Sequence, residues 1–334
     1  MNNKQTRRHF IKTSGIALGT VALNSWVIPG NPVPAAERKI PVFFTSHISA
    51  KGLLNIYSKL EQSRKLSGKT AVKIHSGEPG GQHFLSANLI QELVRSLNGT
   101  IVECNTAYRG KRYETASHKK VMQDHGFTEI APVEILDEEG SISLPIPKGQ
   151  NIQENFVGSH FSKYDSFLIL SHFKGHAMAG FGGAIKNMSI GIASAEGKLW
   201  IHTAGSTKNL NNFFDAFRTK QELFLESMAE AAGSVIHALD NNLLYINVMN
   251  HLSVDCDCSN RPAPPELDDI GILASLDPVA LDKACVDLVL AADKQKNASL
   301  RERIESRNGI HVLDHAEKIG LGSQEYMLEN VDVS

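Results

Sequence analysis

From Val42 onward the chain alternates short apolar runs of β-forming residues with amphipathic segments of helical spacing, and this alternation limits the fold more than any single motif. Val42–Ser46, Thr70–His75 and Thr100–Cys104 read as strands. Between them, Ala50–Gln62 places Leu53, Leu54, Tyr57 and Leu60 at helical spacing. Ser86–Leu97 does the same with Leu89, Ile90, Leu93, Val94 and Leu97, behind Ser86 as N-cap. Thr115–His125 reads as a third helix, ended by Gly126. Parallel strands need crossover connections, and crossover helices lie on the sheet faces. The expected class is therefore α/β, a parallel or mixed sheet covered by helices on both faces, built as one unit or as two lobes around a cleft. Val133–Leu136, Ile142–Ile146 and Phe156–His160 read as shorter strands on an excursion from that sheet. Ser166–Leu170 is a buried strand and Gln221–Leu239 a long amphipathic helix. Leu244–Val248, Ile270–Ala274, Pro278–Ala291 and Ala298–Ser306 resume the alternation.

The first residues follow another grammar. Thr6-Arg7-Arg8-His9-Phe10-Ile11-Lys12 pairs two arginines with an aromatic, an aliphatic and a lysine. An apolar stretch, Ile16–Ile28, follows, then Pro29-Gly30 and the small residues of Val33-Pro34-Ala35-Ala36. A basic start, a short apolar middle and a small-residue exit are the parts of an export signal. Residues 1–36 are read as a twin-arginine signal peptide, handled by the twin-arginine export machinery. Residues 37–334 are read as a mature domain that works in the periplasm or otherwise outside the cytoplasm. The apolar stretch is shorter than the ~20 residues a bilayer span needs, so the mature protein is expected to have no stable membrane span.

Net charge is −2, from 34 Lys+Arg against 36 Asp+Glu. That balance excludes a general nucleic-acid binder, which needs a basic face to neutralise phosphates. Four cysteines do not make a disulfide framework in a chain of 334 residues.

The densest polar stretch, Ser171-His172-Phe173-Lys174-Gly175-His176 to Asn187, directly follows a strongly apolar strand. Together with Gly191, Lys198 and His202 it is expected to form a Gly-rich loop from His172 to Lys198. Ligands of open α/β sheets bind outside the carboxyl ends of the strands, where such a loop would lie. Glycines let backbone approach a ligand, while His and Lys ligate metal, move protons or hold anions. His176 and Lys186 are the candidate catalytic residues. Lys174, Gly182, Gly183 and Asn187 are candidates for binding a cofactor, and His202 for holding a metal. Cys256 and Cys258, in the string Asp255-Cys256-Asp257-Cys258, are further metal candidates with two soft and two hard donors; an exported redox pair and two unpaired thiols are the alternatives. Ser76-Gly77-Glu78-Pro79-Gly80-Gly81 would suit an anion, but lacks the G-x-G-x-x-G order of a dinucleotide site. Asp277 reads as the N-cap of the helix begun by Pro278, with Asp282 and Asp287 on its solvated face. No G-x-S-x-G and no H-E-x-x-H is present, which argues against the hydrolases those motifs mark.

The strings FKGHAMAGFGGAIKN (173–187) and DIGILASLDPVALDKACVDLV (269–289) resemble the domain of unknown function 362 family, over roughly Ile40 to Leu328. That family is iron–sulfur associated. Its cluster-bearing members carry a four-cysteine ferredoxin-type insert that this sequence lacks, so a complete four-cysteine iron–sulfur cluster is not expected. The order His176, Ala-Gly-Phe-Gly-Gly, Lys186, His202 is also similar to a stretch of the nickel-pincer lactate racemase family. That resemblance implies Lys186 as cofactor tether, His202 as nickel ligand and His176 as acid/base, with His118 and His125 as candidates for a further histidine. Nickel, iron or zinc are the metals these readings admit. The function expected is redox or isomerase chemistry on a small anionic metabolite; the alternative is a non-catalytic protein that binds a metal, an iron–sulfur group or an anion.

Overall fold

The computed structural model of the chain describes residues 39–332; the leader and its cleavage region lie outside them. Twelve strands are present among the described residues: β1 (Ile40–Thr45), β2 (Thr70–Lys73), β3 (Thr100–Glu103), β4 (Val133–Ile135), β5 (Ser141–Pro145), β6 (Glu154–Gly158), β7 (Ser166–His172), β8 (Lys174–His176), β9 (Gly180–Gly182), β10 (Leu243–Met249), β11 (Gly271–Ser275) and β12 (Tyr326–Asn330). The helices are α1 (Ala50–Ser63), α2 (Ala87–Ser96), α3 (Thr115–Asp124), α4 (Phe127–Ile130), α5 (Ala184–Ser189), α6 (Ala195–His202), α7 (Gln221–Ala238), α8 (Pro278–Ala291), α9 (Ala298–Ser306) and α10 (His311–Lys318). None is long and apolar enough to cross a membrane.

One sheet of eight strands, in the order β12-β1-β11-β10-β7-β2-β3-β4, runs through the described residues, which therefore do not divide into two lobes. Strands β10, β7, β2, β3 and β4 are mutually parallel, while β11 runs antiparallel to both β10 and β1. The sheet is mixed, with its parallel half in the centre and along one edge. The chain steps from β2 outward to β3 and β4. It then returns to lay β7 on the other side of β2 and steps outward again to β10. The neighbours β2 and β7 thus flank a topological switch point, where crossovers leave in opposite directions and open a crevice at the strand ends.

Every residue of β7 is buried, and alternate residues feed opposite cores. Leu168 and Leu170 join Val72, Ile101 and Leu244 under α1 and α2. Phe167 and Ile169 join Ala71, Val102 and Tyr245 under α7 and α8. Ser49 and Ser86 cap α1 and α2 through their hydroxyls, and Asp277 caps α8 by accepting from Val279 and Ala280 N–H.

Three expectations change. Val133–Leu136 is not part of the excursion: Ile101 and Glu103 pair with Val133 and Ile135, which makes β4 the edge of the main sheet. Only β5 and β6 leave it, as an antiparallel pair. The stretch from His172 to Lys198 is not a loop, because its glycines permit a tight β8–β9 hairpin, and α5 and α6 follow. Asp282 is fully buried on α8, whose surface is apolar nearly all round, so its position never reaches solvent.

Candidate functional site

A cavity of about 140 Å³ opens at the carboxyl ends of β3, β2 and β7. Lys174, His176, Gly182, Gly183, Lys186, Asn187, His202, Cys256 and Cys258 all line it. The fold brings these nine residues, singled out in the sequence as catalytic, cofactor-binding or metal-ligating, to one cavity. Strand β8 carries Lys174 and His176, and β9 carries Gly182. Helix α5 carries Lys186 and Asn187, α6 carries His202, and the loop after β10 supplies the cysteines.

Helix α5 is anchored from across the molecule. The carboxylate of Asp282 accepts hydrogen bonds from Ala184 N–H (2.7 Å), Ile185 N–H (3.0 Å) and Asn247 Nδ2 (2.7 Å). These partners stabilise its charge, but burial dominates and pushes the carboxyl up to about 6. A Cβ at Gly183 would overlap Asp282 Oδ1, which is why glycine stands here.

Four histidines line the cavity; His172 is clamped to Asp257, and backbone groups fix the state of the other three rings. His75 Nδ1 accepts from Gly77 N–H (3.1 Å). His176 Nδ1 accepts from Met178 N–H (3.2 Å) and Ala179 N–H (3.0 Å). Both rings therefore carry their proton on Nε2 and are hydrogen-bond donors. His202 is the reverse: its Nδ1–H donates to the Lys198 carbonyl (2.6 Å), which leaves the Nε2 lone pair free. Burial, then the charge of Lys186 and the neighbouring rings, holds His176 well below the ordinary histidine range. Burial lowers His202 to about 4, against the Lys198 carbonyl and together with Lys186. His202 also stacks on Phe224, with ring centroids 4.6 Å apart.

Beneath the cavity lies a buried charge network. Glu103 accepts from Lys73 Nζ (3.1 Å) and Ser76 N–H (2.7 Å) and faces Arg112 Nη1 at 3.5 Å. Arg112 also donates from Nε to Glu78 (2.9 Å), whose Oε1 accepts from Tyr108 Oη (2.7 Å). Burial alone would raise Glu103, but Lys73, His75 and Arg112 outweigh it and hold the carboxyl well below its usual range. Glu78 thus makes Ser76–Gly81 an acidic bracket for Arg112 rather than an anion cradle. Lys186 is different. Among the described residues its ammonium has no hydrogen-bond partner and no counter-ion, and it faces the cavity. Desolvation, then Lys73, Arg112 and Lys198, lower it to about 8.

Lys174 and Asn187 line the cavity but are already engaged. Lys174 Nζ donates to Asp257 Oδ1 (2.8 Å) and the His83 carbonyl (3.0 Å). Asn187 accepts from Lys73 Nζ (3.0 Å) and donates to the carbonyls of Lys73 and Leu170. Nor are the two acids of the Asp-Cys-Asp-Cys string free as hard donors. Asp257 is clamped by Lys174 and by His172 Nδ1 (2.7 Å), while Asp255 accepts from Ala263 N–H and faces Arg303. Cys256 and Cys258 are joined as a disulfide, a state that offers no thiolate. Their sulfurs and a ring nitrogen of His176 lie within 4.8 Å of one another.

His118 and His125 do not reach the cavity. His118 is fully buried rather than solvated, bonded to Asn105 Oδ1 (3.2 Å), and burial lowers it to about 3. His125 faces the Ser76 carbonyl (2.7 Å) and stacks on Phe84. The residues not foreseen are His75, Glu103 and Arg112. His75 ends one predicted strand and Glu103 is the last but one of another, in the place where a crevice residue of such a sheet belongs. Arg112 carried no signal, because it arrives from the loop after β3.

Fold and site together define a mixed α/β protein with a cation-rich cavity at its topological switch point. The chain belongs to the family described as domain of unknown function (DUF362), whose profile matches residues 70–287. No curated protein matches it. Among solved structures, the lactate racemase apoprotein from Thermoanaerobacterium thermosaccharolyticum is similar at 16% identity and a TM-score of 0.41, over 74% of this chain and 56% of that one. A protein from Thermotoga maritima is similar at 14% identity and a TM-score of 0.38, over 71% and 57%. The chain spans little more than half the length of either.

Proposed function

We propose that this protein is an enzyme acting on a small organic anion with the help of a metal-bearing cofactor held by Lys186 and His202. One observation carries the reading: an amine with no counter-ion, lowered to about 8, shares a cavity with an imidazole whose Nε2 lone pair is kept free by a backbone carbonyl. A partly neutral lysine is a nucleophile fit for a covalent tether. A histidine whose other nitrogen donates to a carbonyl is set up as a metal ligand. These groups fit a lysine-tethered nickel cofactor of the kind the His176–Lys186–His202 spacing implies. Such a group supplies an electron-accepting centre beside the substrate. The protein's own part is to bind and orient. His75 and His176 donate their Nε2–H to a carboxylate or hydroxyl of the substrate, and the excess of cations holds its charge.

The test is elemental analysis and intact mass of the mature protein, purified without chelator from a host with working twin-arginine export. About one metal per chain and a covalent adduct are expected. Lys186→Ala should lose the adduct, whereas His202→Ala should keep it and lose the metal. Wild-type protein free of both would overturn the proposal. The free Nε2 of His202 also suits a second reading, a carrier that holds a metal or anion without turning it over. Retained binding with no turnover on any small hydroxy- or keto-acid would decide for it.

We also propose export, on the strength of Arg7-Arg8, Phe10, Lys12 and the short apolar stretch after them. Fractionation of cells carrying Arg7→Lys/Arg8→Lys should find the protein retained in the cytoplasm. Undiminished export would refute the twin-arginine assignment.

A further inference from the structure

The Cys256–Cys258 disulfide forms part of the cavity wall, and its neighbours are hydrogen-bond donors rather than ligands. Cys258 N–H points to Cys256 Sγ at 3.1 Å. A ring nitrogen of His176 lies within 4.8 Å of both sulfurs. Two backbone amides occupy His176 Nδ1, so the proton sits on Nε2 and the neutral ring has no lone pair to give a metal. What it offers a sulfur is an N–H. Asp257, between the two cysteines, is turned into its clamp with His172 and Lys174, so its charge is compensated. Amide, imidazole N–H and neighbouring ammonium groups are the surroundings that stabilise a thiolate.

We propose that Cys256 and Cys258 form a redox-active pair that exchanges with small anionic thiols and their disulfides, with Cys256 as the attacking sulfur. In the reduced pair, the Cys256 thiolate attacks one sulfur of a disulfide RS–SR; that S–S bond breaks, and one RS⁻ leaves and takes a proton. Cys258 then loses its proton and attacks the Cys256 sulfur, which closes the protein disulfide and expels the second RS⁻. The sum is protein dithiol plus RSSR giving protein disulfide plus 2 RSH, and it runs in either direction with the supply of thiol. The cation-rich cavity selects a reactant that carries carboxylates. The remaining cysteines, Cys104 and Cys285, are buried, with thiols pushed up by burial, and take no part.

The probe is glutathione and its disulfide, applied to the full chain and followed by alkylation and mass analysis. The native protein should be reduced and reoxidised reversibly as one two-electron couple without unfolding. With glutathione disulfide, Cys258→Ser should form a mixed disulfide on Cys256 about tenfold faster than Cys256→Ser forms one on Cys258. His176→Ala, shown by its melt to be folded, should slow exchange at both sulfurs while the order of the two rates, set by the Cys258 amide, stays. A disulfide that resists reduction until the protein melts would overturn the proposal in favour of a structural staple. Equal rates at the two sulfurs would overturn it too. So would stoichiometric zinc uptake by the reduced pair that depends on His176, which would make this a metal site. The readout is at sulfur alone, so it stands or fails separately from the metal and adduct at Lys186 and His202.

Discussion

Lys186 owes its lowered pKa first to burial and then to company it cannot neutralise: Lys73, Arg112 and Lys198 add to the effect, and the nearby Glu103 is already paired with Lys73. The sign of the consequence is fixed. Below about 8 the side chain is an ammonium that attracts an anionic ligand; above it the charge is lost. In protein that carries no adduct on Lys186, affinity for a small carboxylate should therefore fall as pH rises through about 8, as read by calorimetric titration. Lys186→Arg should bind with little pH dependence in that window, and Lys186→Met weakly throughout. An unchanged pH profile in Lys186→Arg would place the titrating group elsewhere. Amine acylation at Lys186 should turn on near the same pH, well below that of exposed lysines. The identity of Lys186, His176 and His202 was legible from the sequence, because Gly, His and Lys crowd together behind a strongly apolar strand. Their protonation states were not. Those depend on Gly77, Met178, Ala179 and Lys198 presenting a backbone N–H or carbonyl at one ring nitrogen, and hydrophobic patterns carry no record of that.

At the scale of elements, the site depends on a contact between α5 and α8 that local patterns conceal. Asp282 sits in an apolar helix and holds the first two amides of α5, directly before Lys186. Asp282→Ala would leave those N–H groups and Asn247 Nδ2 without an acceptor in the interior. A loss of about 3 kcal/mol is expected in denaturant unfolding, with the low-pH acylation of Lys186 lost as well. Between about 4 and 6 the native carboxyl holds its proton when the unfolded one does not, so this residue lowers stability as pH rises across that window. Removing it should flatten the pH dependence there. The clue was present in the sequence: on a helix apolar nearly all round, the narrow polar face is taken by Lys283 and Asp287, which leaves Asp282 in the interior. The strands β7 and β10 and helix α8 were plain because long apolar runs and a Pro after an Asp cap identify themselves. The hairpin β8–β9 was not, since its three-residue strands are mostly glycine, lysine and histidine.

For the whole molecule, the order of strands separates chemistry from closure. The cavity gathers at β2, β7 and β3, while β12 lies at the opposite edge and covers β1. Removing residues 326–334 should leave the outer N–H and C=O groups of β1 unpaired. Melting should occur at lower temperature, with aggregation detectable by light scattering, while the acylation midpoint of Lys186 stays where it was. A shifted midpoint would mean that the far edge and the cavity are coupled. The parallel half of this sheet could be read from the alternation of strands and helices. The antiparallel half could not, because nothing local in β11 or β1 states which way a neighbour runs.

The position of β1 also sets a schedule for synthesis. Ile40 pairs with Tyr326, and Phe43 with Ala274, so both neighbours of the first described strand are made near the other end of the chain. Val42, fully buried at the finish, leaves the ribosome long before anything exists to cover it. The central strands β2, β3 and β7 can assemble as they emerge, but β1 has to wait beside them with both edges bare. The first described strand therefore stays unpaired for most of translation, and the sheet closes over it only when β11 and β12 have docked.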